Sequence, residues 1–86
     1  MKYILISFKS RGDVQAFASL LKKHNISYNI INTPNSISSS CGLSIKTSFS
    51  MYSTILFIIK NFNFTSILGV FIVETFGKQQ NIKKIF

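Results

Sequence analysis

The chain has 86 residues, a length that fits one domain and not two. Its apolar share of 47%, with nine Phe and three Tyr, is enough for a core and excludes a disordered tail. One cysteine excludes an internal disulfide and a Cys-rich zinc site, and a lone thiol suits a reducing cytoplasm. Ten Lys and Arg against two acids give a net charge of +8, but the cations are scattered, with a local cluster only in the last residues.

In chain order, residues 2–8 form a short apolar run rich in β-formers and predict a buried strand. No secretory signal is expected here, because the run breaks at Lys9 without a long apolar region or a small-residue cleavage site. Ser10 offers an N-cap and Asp13 follows three residues later, as in a capping box. Val14, Phe17, Ala18 and Leu21 recur at helical spacing, and Lys22, Lys23 and His24 close that helix where its dipole favours cations. Asn25 suits a left-handed cap. Ile26, Tyr28 and Ile30 alternate with polar residues and predict a second strand.

Residues 33–40 read as a polar loop that Pro34 separates from the strand before it. Cys41, Leu43 and Ile45 alternate with Gly42, Ser44 and Lys46 and predict a third strand. Tyr52, Ile55, Leu56 and Ile59 form a second helical stripe, with Ser48 or Ser50 as its N-cap. Residues 67–75 are a continuous apolar strand containing Gly69. The apolar stretch over residues 49–76 is long enough to span a bilayer, but Lys60, Asn61 and Asn63 in its middle point to two separate elements and argue against a membrane span. Residues 77–86 read as a basic C-terminal tail beyond a domain of residues 1–76.

The order βαββαβ implies an α+β fold, a ferredoxin-like two-layer sandwich with a four-stranded antiparallel sheet and two helices on one face. The other face is left open, for a partner or for a homodimer. In that topology the start of strand three lies beside the end of strand one, where the first helix begins. Cys41 is therefore expected near Ser10, Arg11 and Gly12, on the same face as Leu43 and Ile45. Backbone N–H groups, the helix dipole, Lys9 and Arg11 would favour its thiolate there, and the small Ser39, Ser40 and Gly42 would leave the sulfur accessible. The same parity also fits a small buried hydrophobe, so an activated thiol and a structural one both stand.

Little else in the chain carries chemistry. His24, the one histidine, sits at a helix C-terminus far from Cys41 in this arrangement, which gives little support to a Cys/His pair. Asp13 is accounted for by capping, and Glu74 ends the last strand, which argues against paired-carboxylate catalysis and a carboxylate metal site. There is no glycine-rich phosphate loop and no RNA-recognition signature, which weighs against a nucleic-acid partner despite the charge. No cofactor is implied.

The segment Thr33-Pro34-Asn35-Ser36-Ile37-Ser38-Ser39-Ser40-Cys41-Gly42-Leu43-Ser44-Ile45 resembles the signature of the DUF3343 family, the selenium/sulfur carrier protein-like proteins. Its members share a Pro-containing loop leading into Ser-Cys-Gly-Leu and an apolar strand. The opening strand, Ser10 and a helix with Ala16 in its early turns are similar too. Asn35 stands where the family commonly has a basic residue after the proline, which puts any docking or thiolate role of that position in doubt. The resemblance implies a small carrier rather than a turnover enzyme. Cys41 would hold sulfur or selenium as a persulfide or selenopersulfide, loaded by a cysteine desulfurase-like donor and passed to an acceptor protein. The alternative is a non-catalytic interaction or regulatory domain in which Cys41 is structural.

Overall fold

The computed structural model describes residues 1–33, 42–61 and 67–85. Its elements are β1 (Lys2–Phe8), α1 (Arg11–Lys23), β2 (Tyr28–Asn32), β3 (Leu43–Ser48), a 3₁₀ turn (Phe49–Met51) leading into α2 (Tyr52–Asn61), β4 (Ile67–Phe76) and β5 (Gln79–Lys84). The strands form one sheet in the order β2-β3-β1-β4-β5, and every neighbouring pair is antiparallel. The chain is thus α+β with two helices, and the four-stranded expectation is corrected to five. Residues 49–76 hold two separate elements, α2 and β4, with Lys60 and Asn61 at the end of α2. Among the described residues no helix is long and apolar enough to cross a membrane.

The fifth strand comes from the basic segment expected to be a tail. Phe76 pairs with Gln79, so Gly77 and Lys78 make a two-residue hairpin loop. Gly77 has a φ of +59°, at the first central position of the turn, where a II′ hairpin calls for glycine. The sequence of β5 is almost wholly polar because this edge strand offers only Ile82 to the apolar cluster on the sheet face away from the helices.

The local signals for α1 act as expected. The Ser10 hydroxyl accepts from the Asp13 backbone N–H at 3.4 Å. Val14, Phe17, Ala18 and Leu21 are all buried. At the other end Asn25 takes a φ of +59°. Its N–H donates to the Lys22 carbonyl at 3.1 Å, and that of Ile26 to the Leu21 carbonyl at 2.9 Å. Those two bonds are the Schellman pattern, with Ile26 and Leu21 supplying its apolar contact in the core.

Most of the core lies between the sheet and the helices. Ile4, Ile6 and Phe8 of β1, Ile45 of β3 and Val70 of β4 meet Val14, Phe17 and Leu21 of α1 and Ile55, Ile58 and Ile59 of α2. Phe8 and Phe17 rings sit 5.6 Å apart at 55°, a tilted aromatic pair. On the other face Leu5, Phe71 and Val73 form a smaller cluster with Tyr3, Ile31 and Ile82 packed around it. As a central strand packed on both faces, β1 has a continuous apolar run in place of alternation. The chain's own side chains shut the second face, since Leu5 is fully buried and Phe71 is only 9% exposed. The Lys46 ammonium lies over the Tyr3 ring, 4.4 Å from its centroid.

Candidate functional site

Two of the predicted site residues, Ser40 and Cys41, lie outside the described residues, as does Asn35. Gly42, the residue bonded to Cys41, and Thr33, at the other end of the loop, are described, and they fix where the loop leaves and rejoins the sheet. The Thr33 N–H donates to the Gly42 carbonyl at 2.9 Å, closing the loop at its neck as a continuation of the β2–β3 ladder.

Gly42 sits against the end of β1. A Cβ added to it would stand 2.8 Å from the Phe8 carbonyl oxygen and 3.2 Å from the Thr33 hydroxyl. The backbones approach too closely there for any side chain, which gives Gly42 a packing reason for being glycine. One residue further on, Leu43 is paired with Phe8. The start of β3 therefore lies at the sheet edge where β1 ends. Chain geometry holds the Arg11 Cα within about 11 Å of the Phe8 Cα. Lys9, Ser10 and Arg11 are all exposed at that edge.

Beneath the neck lies a polar cluster that sequence reasoning did not single out. The Ser44 hydroxyl bonds the Thr33 hydroxyl at 2.7 Å and the Ser7 hydroxyl at 2.9 Å. All three side chains are buried, Ser7 and Ser44 completely. Ser7 and Ser44 face each other across the β1–β3 pair on the side away from the helices. The signal available was Ser7 itself, a small polar residue inside an otherwise apolar strand. Three buried hydroxyls in a row tie β1, β3 and the end of β2 together beside the Thr33–Gly42 pair.

The remaining candidates are dispersed. His24 caps α1 through its backbone N–H. Glu74 lies at the other end of β1, with its carboxylate 3.9 Å from the Lys2 ammonium. Among the described residues no three of His, Cys, Asp and Glu come together as a metal site. A shallow cleft of about 350 Å³, lined by Tyr3, Tyr28, Lys46 and Thr47 among others, opens at the end of the sheet opposite Gly42. Thr47 spends its hydroxyl on the Ser27 carbonyl there, at 2.9 Å.

Gly42 and Ser10 of the predicted site thus fall at one end of the sheet, where β1 ends, α1 begins and Gly42 pairs with Thr33 before β3. Comparison with known proteins agrees with the resemblance in residues 33–45. No curated protein matches this chain, and no solved structure does. A family model matches residues 2–68, from β1 through the loop to the start of β4, and its description reads "Putative Se/S carrier protein-like". With most of its length matched, the chain belongs to the Se/S carrier protein-like family.

Proposed function

We propose that this chain carries sulfur or selenium as a persulfide or selenopersulfide on Cys41, taking it from a cysteine desulfurase-like donor and passing it to an acceptor protein. The observation that carries this reading is the family match, which spans residues 2–68 and so includes Cys41, the chain's single cysteine. A carrier needs one nucleophilic thiol and no acid–base pair, and this chain has one cysteine, one histidine and two acids.

The loading step is a thiolate exchange. The Cys41 thiolate attacks the outer sulfur of the donor's persulfide, that sulfur–sulfur bond breaks, and the donor leaves as a thiolate. The sulfane sulfur moves to Cys41 with its oxidation state unchanged, and unloading repeats the step on the acceptor. Support for an available thiolate comes from the cationic edge at Lys9 and Arg11 and the start of α1, beside which Gly42 is fixed. Ser40 and Gly42 flank the sulfur without bulk, and Ser10 caps the helix end facing that edge. A free thiol persists in a reducing compartment, so the cytoplasm is the proposed location. We read β1 to β4 with their two helices as a ferredoxin-like unit to which β5 is added.

The test is intact-mass spectrometry after incubation with a cysteine desulfurase and cysteine. Wild-type protein should gain one sulfur, reversed by dithiothreitol, and Cys41→Ser should gain nothing. Equal masses for the two proteins would overturn the reading and leave Cys41 a structural residue of an interaction domain.

A further inference from the structure

The two edges of the sheet are built differently. The β5 edge carries Lys83 and Lys84, with Lys78 in the turn before it. Lysines on an edge strand keep other strands away. The β2 edge, Tyr28-Asn29-Ile30-Ile31-Asn32, has no such guard. It lies within residues 24–45, a stretch without one Lys, Arg, Asp or Glu in a chain of net charge +8. Ile30, at its centre, is 45% exposed.

The hydrogen-bond phase of this edge follows from the loop neck. Thr33 donates to Gly42 across the β2–β3 pair. Residues that turn their N–H and C=O toward the partner alternate along an antiparallel strand. Ile31 and Asn29 therefore face β3, and Tyr28, Ile30 and Asn32 turn both backbone groups outward to the edge, where among the described residues no strand pairs with them. The Ser27 carbonyl, held by the Thr47 hydroxyl, keeps the same phase.

From these observations we propose that β2 pairs antiparallel with β2 of a second copy, about a two-fold axis through Ile30. In that register Ile30 faces Ile30, Tyr28 faces Asn32 and Asn29 faces Ile31. Each facing pair of Tyr28, Ile30 and Asn32 exchanges two hydrogen bonds, so every outward backbone group of β2 is satisfied. A shift by one residue puts opposite faces of the two sheets in line and is excluded by the pleat. A shift by two residues keeps the faces but leaves the outward groups of one terminal residue on each strand unmatched. The Ile30 side chains cover each other on the helix side of the joined sheet. Because no charge lies on β2, no like charges stand opposite each other within the paired strands, although each chain is +8. The pairing closes on itself, since both outer edges of the joined sheet are then lysine-bearing β5 strands.

Sedimentation velocity and the concentration dependence of amide exchange test the proposal. Wild-type protein should pass from monomer to dimer below about 1 mM, the concentration at which an association of about 4 kcal/mol is half-formed. The amide of Ile30 should become protected over the same range. Ile30→Lys places two ammonium groups opposite each other, and Ile30→Pro removes the central donors while sparing the bonds to β3. Each should weaken association at least about tenfold. Gln80→Lys adds the same charge to the β5 edge and should dimerise as wild type does. A wild-type monomer throughout, an Ile30 amide indifferent to concentration, or a Gln80→Lys protein that dissociates as fully as Ile30→Lys would overturn the pairing.

Discussion

The buried hydroxyls of Ser7, Ser44 and Thr33 make a prediction in which the order of effects matters more than their size. Ser44 is the middle member, bonded to both of the others. Ser44→Ala removes both bonds and leaves two buried hydroxyls without partners, and each orphaned group costs ~1–3 kcal/mol. The expected loss is ~2–6 kcal/mol, a large share of the ~4–13 kcal/mol available to a domain of this length. Ser7→Ala removes one bond and orphans nothing, because Ser44 keeps Thr33, so the expected loss is ~0.5–1.5 kcal/mol. The triple replacement Ser7→Ala, Thr33→Val, Ser44→Ala exchanges the whole row for apolar groups of nearly the same shape and should lie within ~1 kcal/mol of wild type. Urea denaturation at 25 °C, read by far-UV circular dichroism, gives all three values, and an unchanged slope keeps them comparable. A Ser44→Ala protein no weaker than Ser7→Ala, or a triple variant weaker than Ser44→Ala, would refute the hydroxyl row as drawn.

Substitutions at two further positions probe the backbone. Gly42→Ala sets a methyl group 2.8 Å from the Phe8 carbonyl oxygen; thermal denaturation should show a loss of ~1–3 kcal/mol from overpacking, and an unchanged melting temperature would mean that the loop neck yields freely. At the end of α1, where Asn25 has a φ of +59°, Asn25→Ala should lower the melting temperature by roughly 4–8 °C for ~1 kcal/mol of left-handed strain, and Asn25→Gly should hold or raise it.

The helices and the inner strands were legible because local rules and packing agree in them. The Ser10 cap, the Val14–Phe17–Ala18–Leu21 stripe and the Asn25 stop mark α1 at both ends, and the structure buries that stripe. For α2 the stripe was partly misassigned. Ile58 is buried and Leu56 only half-buried, because an all-apolar run such as Ile55 to Ile59 does not reveal which side faces the sheet. The fifth strand was hidden for a different reason. An edge strand with one apolar contact needs no alternation, and its polar sequence reads as tail until Gly77 is recognised as the turn. The polar row at Ser7, Ser44 and Thr33 escaped notice because it exists only once three strands are side by side. For the candidate site, sequence located Gly42 and Ser10 by motif and by cap, and topology brought the start of β3 to the end of β1.

The hairpin that escaped sequence reasoning also decides how the rest of the sheet can be used. By pairing along β4, β5 covers an edge that would otherwise be free, and Ile82 adds to the cover over Phe71 and Val73. Lys84 reaches the bare backbone at Gly69, where its terminal carbon would be 3.0 Å from an added Cβ. The basic end of the chain is thereby turned to one side of the sheet. β2 lies at the other edge, within the uncharged stretch of sequence 24–45. A strand that approaches β2 meets backbone donors and acceptors and no charged side chain on β2 itself. Recognition along β2 comes from strand pairing and shape, which are short-ranged and specific in register, while Lys83 and Lys84 act as a deterrent on the opposite edge.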